Sequence, residues 1–207
     1  MRRGDFCARF FHKMKRPLSL LLGWLLLASP AFALTVVIDA GHGGHDRGGM
    51  PGQRLSEKTY ALDVAKRLRS KLNDAGVKTV MTRSGDYFVS LGGRCSVANS
   101  RRGSVFVSVH FNGAPREGAN GIETFYYSRQ SASLAAAIHR RVVPAAGTEN
   151  RGVKRRGFYV IRNTRGPAVL VECGFLTNRR EGKRIASSSS HRQGLANAIA
   201  RGILDRY

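Results

Sequence analysis

The sequence predicts a single α/β domain built on a mainly parallel, twisted sheet with helices on both faces. Three short apolar runs, Val36–Ile38, Val105–Val109 and Ala168–Val171, are of the kind a strand buried on both faces requires. Helical periodicity alternates with such runs, in the order strand, helix, strand, helix, strand that a doubly covered sheet needs. Each run also leads into a chemistry-bearing residue: His42 past the first, His110 after the second and Glu172 after the third. They therefore belong at the carboxyl ends of strands, where open α/β sheets bind their ligands.

The first 33 residues stand apart from this pattern. Arg2, Arg3, Lys13, Lys15 and Arg16 precede the apolar segment Leu18–Leu27, and Ala31-Phe32-Ala33 follows Ser29 and Pro30. Basic region, apolar region and A-x-A site describe a secretory signal peptide over 1–33, cleaved after Ala33. The alternative is a membrane anchor, but a span needs about 20 apolar residues, and this run is shorter and interrupted. Met14-Lys15-Arg16 would open a more ordinary leader by itself, so Met14 is a second candidate start. Residues 34–207 remain, enough for one domain with a sizeable core.

Within that domain, VVIDAGHGG (Val36 to Gly44) reads as a strand with a glycine-rich exit around His42. A polar loop runs to Ser56. Ala61, Val64, Ala65, Leu68, Leu72 and Ala75 then mark a helix face, with Ser56 as N-cap and Gly76 as stop. Val77–Met81 is the second strand, Leu91–Asn99 a short helix and Val105–Val109 the third strand. Ile122–Tyr127, rich in β-branched and aromatic residues, is another. Leu134–Val143 is a helix ended near Pro144. Asn150–Gly157 reads as a basic loop, Phe158–Ile161 as a short strand and Ala168–Cys173 as the last strand. Leu195, Ile199, Ile203 and Leu204 mark a closing helix, with Ser187–Ser190 as the turn and cap before it.

After the leader, 29 Lys+Arg face 12 Asp+Glu, a net charge of +17. Such an excess suits a polyanion: nucleic acid, acidic lipid or an anionic envelope polymer. Export and the lack of a recognition-helix or basic-aromatic strand pattern exclude nucleic acid; a basic surface with no specific partner is the alternative. Cys95 and Cys173 could form one disulfide, or each could pack as a small hydrophobe.

A hydrolytic zinc site takes three protein ligands and keeps one position for water. His42, His110 and one carboxylate would suffice. Glu57, in the first turn of the long helix, is the nearest candidate, although a first-turn acid also serves the helix dipole. Either histidine alone could be a hydrogen-bonded rim residue. Glu172 follows three apolar residues, where a carboxylate needs a compensating charge, and a glutamate beside a metal suits general-base work; a salt bridge to arginine is the plainer reading. His45 belongs to the loop, and His139 and His191 read as solvated.

Several motifs taken together resemble the zinc-dependent N-acetylmuramoyl-L-alanine amidases of the Amidase_3 type. They are IDAGHGG with His42, SEK with Glu57, SVHFN with His110 and VLVECGFLTN with Glu172, joined by Thr82-Arg83, RCSVAN, GIETFYYS and RGVKRRGFYVIR. The resemblance spans essentially the whole mature chain. It implies that His42, Glu57 and His110 bind Zn²⁺ and that Glu172 is catalytic in cleaving the amide between N-acetylmuramic acid and L-alanine. It further implies peptidoglycan as partner. Once the leader is removed a monomer without membrane contact is expected, and the leader implies export, to the periplasm first and otherwise to the medium or the cell wall. The resemblance departs in two ways: 174 residues leave no room for a wall-binding module, and no long insertion separates Tyr127 from Phe158, where regulated members carry an occluding helix, which implies an open, unregulated site. Two other readings compete: another exported zinc peptidase on this scaffold, and a non-enzymatic basic envelope-binding protein.

Overall fold

The computed structural model describes residues 34–207, so the expected signal peptide lies outside the described residues. Six strands form one sheet in the order β2-β1-β3-β6-β4-β5. β1 (Thr35–Ala40), β2 (Lys78–Met81), β3 (Val105–Asn112) and β6 (Ala168–Phe175) run parallel. β4 (Ile122–Tyr126) pairs antiparallel with β6 and parallel with β5 (Asn150–Arg155), so the last two strands point the other way. The chain leaves β1 for β2 on one side and later returns as β3 on the other. The crevice between β1 and β3 at their carboxyl ends is thus the point where strand order reverses, and it is where His42 and His110 emerge.

Period-two alternation sorts the sheet's side chains onto two cores. Val36, Ile38, Val107, Val109, Val169 and Val171 pack on one face. Helices α1 (Glu57–Asp74), α3 (Ala132–Ala146) and α6 (Ser189–Leu204) cover it with Leu68, Ile138, Leu195 and Ile199. Val37, Phe106, Leu170 and Phe125 face the other way, under the short helices α2 (Leu91–Asn99) and α4 (Tyr159–Arg162). Nine and four residues cannot span that face. Its carboxyl end therefore stays uncovered, and in-register pairing sets His110, Glu172 and Glu123 side by side across β3, β6 and β4.

Five expectations are corrected. The basic stretch after Glu149 is the edge strand β5, because its backbone pairs with β4 despite its polar side chains. Phe158–Ile161 is not a strand: Tyr159–Arg162 make one helical turn that tucks Val160 and Ile161 beneath the sheet. α3 runs through Pro144 to Ala146 and ends at Gly147 in the left-handed conformation. His139 is buried, its ring between Thr124 Oγ1 (3.0 Å) and Asn150 Oδ1 (2.7 Å), and it ties α3 to β4 and β5. His191 is likewise partly buried, and burial, reinforced by Arg184 and Arg192, lowers its pKa to about 4. A further helix, α5 (Arg179–Ser187), has no apolar stripe to announce it; Asn178 caps it through the Arg180 and Glu181 amides.

Ser56 occupies the N-cap of α1 as expected but makes no side-chain capping bond, whereas Ser188 caps α6 by accepting from the His191 amide. Cys95 and Cys173 are unbonded, each buried in a different core on opposite faces of the sheet. Among the described residues no helix is long and apolar enough to cross a membrane.

Candidate metal centre

Glu57 is the first residue of α1, buried, with both oxygens engaged. Oε1 lies 2.8 Å from His110 Nδ1 and accepts the Phe111 amide at 3.0 Å, and Oε2 lies 3.1 Å from His42 Nε2. One ligand atom from each of His42, Glu57 and His110 falls within 4.8 Å of the others. Two imidazoles and a carboxylate converging at that spacing are a donor set suited to zinc. The histidine side chains remain 23% and 16% exposed, enough for a ligand to approach. Glu172 adjoins this group through its pairing with His110, and its Oε2 is buried without a hydrogen-bond partner. Such an orphan carboxylate oxygen calls for a cation or a water to compensate it.

Two glycines let the donors converge. A Cβ on Gly41 would strike the His110 ring, and one on Gly48 would stand 2.5 Å from His42 Cδ2 and 2.6 Å from Glu57 Oε2. His42 itself takes a left-handed backbone (φ 60°), unusual for a residue other than glycine.

The apparatus that holds this conformation was not read from the sequence. Asp46 receives His42 Nδ1 at 2.8 Å and the Gly48 amide at 3.0 Å, leaving Nε2 to face Glu57. A carboxylate on the outer nitrogen of a ligating histidine fixes its tautomer and orientation; an acid four residues on, inside the same loop, was the available signal. Beneath the loop two buried arginines grip its carbonyls. Arg83 donates to Ala40 and Gly41 oxygens at 2.9 and 2.6 Å, and Arg94 to Ala40 and His42 oxygens at 2.6 and 2.8 Å. Arg94 also pairs with buried Asp39 at 2.8 Å, whose remaining acceptor capacity is taken by Thr82 and Ser108 at 2.6 Å each. Removing one partner of a buried pair leaves the other charged and uncompensated. Arg94→Ala should therefore cost about 3–5 kcal/mol, read as a lower urea midpoint at constant m-value; an unchanged midpoint would show that Asp39 does not need the guanidinium.

The electrostatics follow from this crowding. Burial opposes the charge on Glu57, but hydrogen bonds from His110 and His42 overcome it and lower its pKa to about 2. Burial would likewise lower that of His42, yet Glu57 and then Asp46 raise it on balance. Burial, reinforced by the Glu57 and Glu123 charges, pushes the Glu172 carboxyl well above the usual range. A cation held by the neighbouring donors would oppose that shift. On the far side, Glu123 accepts from Asn112 (2.9 Å) and pairs with Arg151 (3.1 Å) and Lys154 (2.5 Å).

Known proteins share this fold. Residues 36–205 match the family described as Amidase_3, N-acetylmuramoyl-L-alanine amidase. The chain is 37% identical over 185 residues to the N-acetylmuramoyl-L-alanine amidase LytC of Bacillus subtilis (strain 168), a match covering 87% of this chain and 37% of LytC. It thus spans little more than a third of that relative. Among solved structures, the catalytic domain of the amidase CwlV from Bacillus (Paenibacillus) polymyxa var. colistinus superposes with a TM-score of 0.79 at 38% identity, covering 83% of this chain and 97% of that one. The amidase AmiC2 of Nostoc punctiforme gives 0.78 at 39%, covering 84% and 97%. With the family matched over nearly the entire described domain and the fold shared with its solved catalytic domains, the chain belongs to the Amidase_3 family of N-acetylmuramoyl-L-alanine amidases.

Proposed function

We propose that this protein hydrolyses the amide between the lactyl group of N-acetylmuramic acid and L-alanine in peptidoglycan, with one Zn²⁺ held by His42, Glu57 and His110. The observation that carries this reading is the convergence of those three donors beside the partnerless Oε2 of Glu172. Bound zinc supplies a Lewis acid that polarises the amide carbonyl and makes a water acidic near neutral pH. Asp46 keeps the outer nitrogen of His42 occupied so that Nε2 faces the site. Glu172 takes the proton of the attacking water and passes it to the departing alanine nitrogen. The open carboxyl end of the sheet admits a polymer.

The decisive experiment is mass spectrometry of digested sacculi. Free stem peptides and peptide-free glycan are expected, both abolished by a chelator and restored by zinc. Cleavage within the peptide would favour an exopeptidase instead, and full activity in a metal-free preparation would sink the zinc assignment.

We also propose that residues 1–33 direct export to the periplasm, or else to the medium or the cell wall, that the mature protein is monomeric, and that its basic surface favours anionic envelope polymers. The N-terminus of secreted protein should then be Leu34, and the purified protein should elute at monomer mass. Sacculus binding should weaken as salt rises, because exposed charges are screened beyond about 8 Å at physiological ionic strength. Binding indifferent to salt would make the charge incidental.

A further inference from the structure

Four of the seven large apolar side chains most exposed among the described residues, Phe88, Leu91, Phe158 and Tyr159, line one cavity of 460 Å³ next to His42 and His110. Each is 43–53% exposed, although scattered single exposures are the norm for a soluble domain. The wall is built rather than loose. Phe158 stacks edge-on against Phe125 with ring centroids 5.0 Å apart, Phe88 leans on His45 at 4.4 Å, and Val160 and Leu170 form the floor.

The wall's charge is as informative as its apolarity. The chain carries 35 Lys+Arg, yet among the described residues the only cationic side chain of Lys or Arg type lining this cavity is Arg94, already paired with Asp39, while Asp46 is engaged by His42. No uncompensated ion faces the occupant. Beyond Glu172 the balance differs: one carboxylate, Glu123, is shared by Arg151 and Lys154.

A muramoyl amide has two unlike halves. On the acyl side is an N-acetylated sugar whose own carboxyl is consumed in the amide; on the amine side is a peptide bearing free carboxylates. We propose that the Phe88/Leu91/Phe158/Tyr159 wall is the saccharide subsite, which stacks the C–H faces and acetamido methyl of the glycan against its rings, while the stem peptide crosses toward the cations of β5. Aromatic faces carry negative charge density that attracts the polarised C–H bonds of a pyranose, and a neutral occupant is what a wall without free ions accepts. This assignment rests on the amidase reading above.

The test uses the whole purified protein and two probes: a peptide-free tetramer of N-acetylglucosamine, neutral and without a scissile muramoyl amide, and the free stem peptide. Calorimetric titration should show tetramer affinity falling about tenfold in Phe158→Ala and in Tyr159→Ala, the loss of roughly one aromatic contact. Phe158→Trp should retain it, and stem-peptide affinity should not move. Leu91→Ala, at a position 53% exposed, should weaken the tetramer without lowering the melting temperature and so separates the subsite from the packing of α4. The proposal is overturned if the tetramer does not bind the wild type, if the alanine variants bind it as the wild type does, or if they lose the peptide instead. Sacculus digestion by the wild type is scored separately. Tetramer binding lost in the variants of a protein that releases no stem peptides would uphold the sugar subsite and refute the amidase reading, whereas stem-peptide release with tetramer binding indifferent to the wall would do the reverse.

Discussion

Glu172→Gln should lower the rate of stem-peptide release by about 10²- to 10⁴-fold, the usual worth of general acid-base catalysis, while zinc content stays near that of the wild type. The substitution preserves shape and length, so Leu170 and Cys173 on either side of it keep their packing in opposite cores. What changes is the ability to hold a proton at an oxygen that no other group satisfies. Because an amide is neutral, the variant also relieves the burial and the Glu57 and Glu123 charges that disfavour an ionised Glu172. Equal or higher thermal stability alongside the lost turnover is therefore expected. Zinc lost from Glu172→Gln would make this residue a ligand; turnover left intact would move the proton transfer to another group.

His42→Ala, His110→Ala and Glu57→Ala should each empty the site of stoichiometric zinc and abolish activity, as measured by metal analysis of dialysed protein. Asp46→Ala should act more gently, costing about 10- to 100-fold in zinc affinity, because it orients His42 without joining the three donors. If Glu57→Ala kept its zinc, the carboxylate would serve only to hold the two rings.

Acid should have the same effect as these variants. His42 must lose its proton to bind metal, and Glu57 and Asp46 raise its pKa above 6.5, so zinc affinity should fall as pH drops through that raised value. For the metal-free protein the signs differ by group. The raised His42 pKa contributes stability fully present below 6.5 and lost as pH rises through the folded value. Glu57, lowered from 4.5 to about 2, contributes stability present above 4.5 and lost as pH falls toward 2. Urea midpoints of metal-free protein should therefore be highest between those limits. A midpoint flat from pH 2 to 8 would show that the His42–Glu57–His110 contacts do not form without metal.

How much of this was legible in advance depended on whether a residue's role is local. β1, β3 and β6 could be read from their apolar runs because a strand buried on both faces must be apolar throughout, and α1, α2 and α6 from periodicity, caps and glycine stops. β5 and α4 could not. β5 is polar because it is an edge strand, identified by its backbone pairing with β4, and α4 is a single turn whose β-branched Val160 and Ile161 favour a strand until the sheet above buries them. His139 passed for a solvated residue because its partners, Thr124 and Asn150, come from two other elements.

By itself the sequence determined the α/β class, the positions of His42, His110 and Glu172 at strand ends, and, through its motifs, the family and the expectation that Glu57 joins the histidines. Each of these is written in neighbouring residues, as a pattern of burial or a run of identities. Only the tertiary structure decided that Glu57 lies between both rings, that Asp46 turns His42, that Arg83 and Arg94 clamp the loop from below, and that an aromatic wall adjoins the histidines while Lys154 pairs with Glu123 beyond Glu172. The physical reason is distance along the chain. Arg94 and His42 are 52 residues apart and His110 and Glu57 53, and side chains so separated acquire a relation only when strand register and helix packing bring their atoms within bonding range.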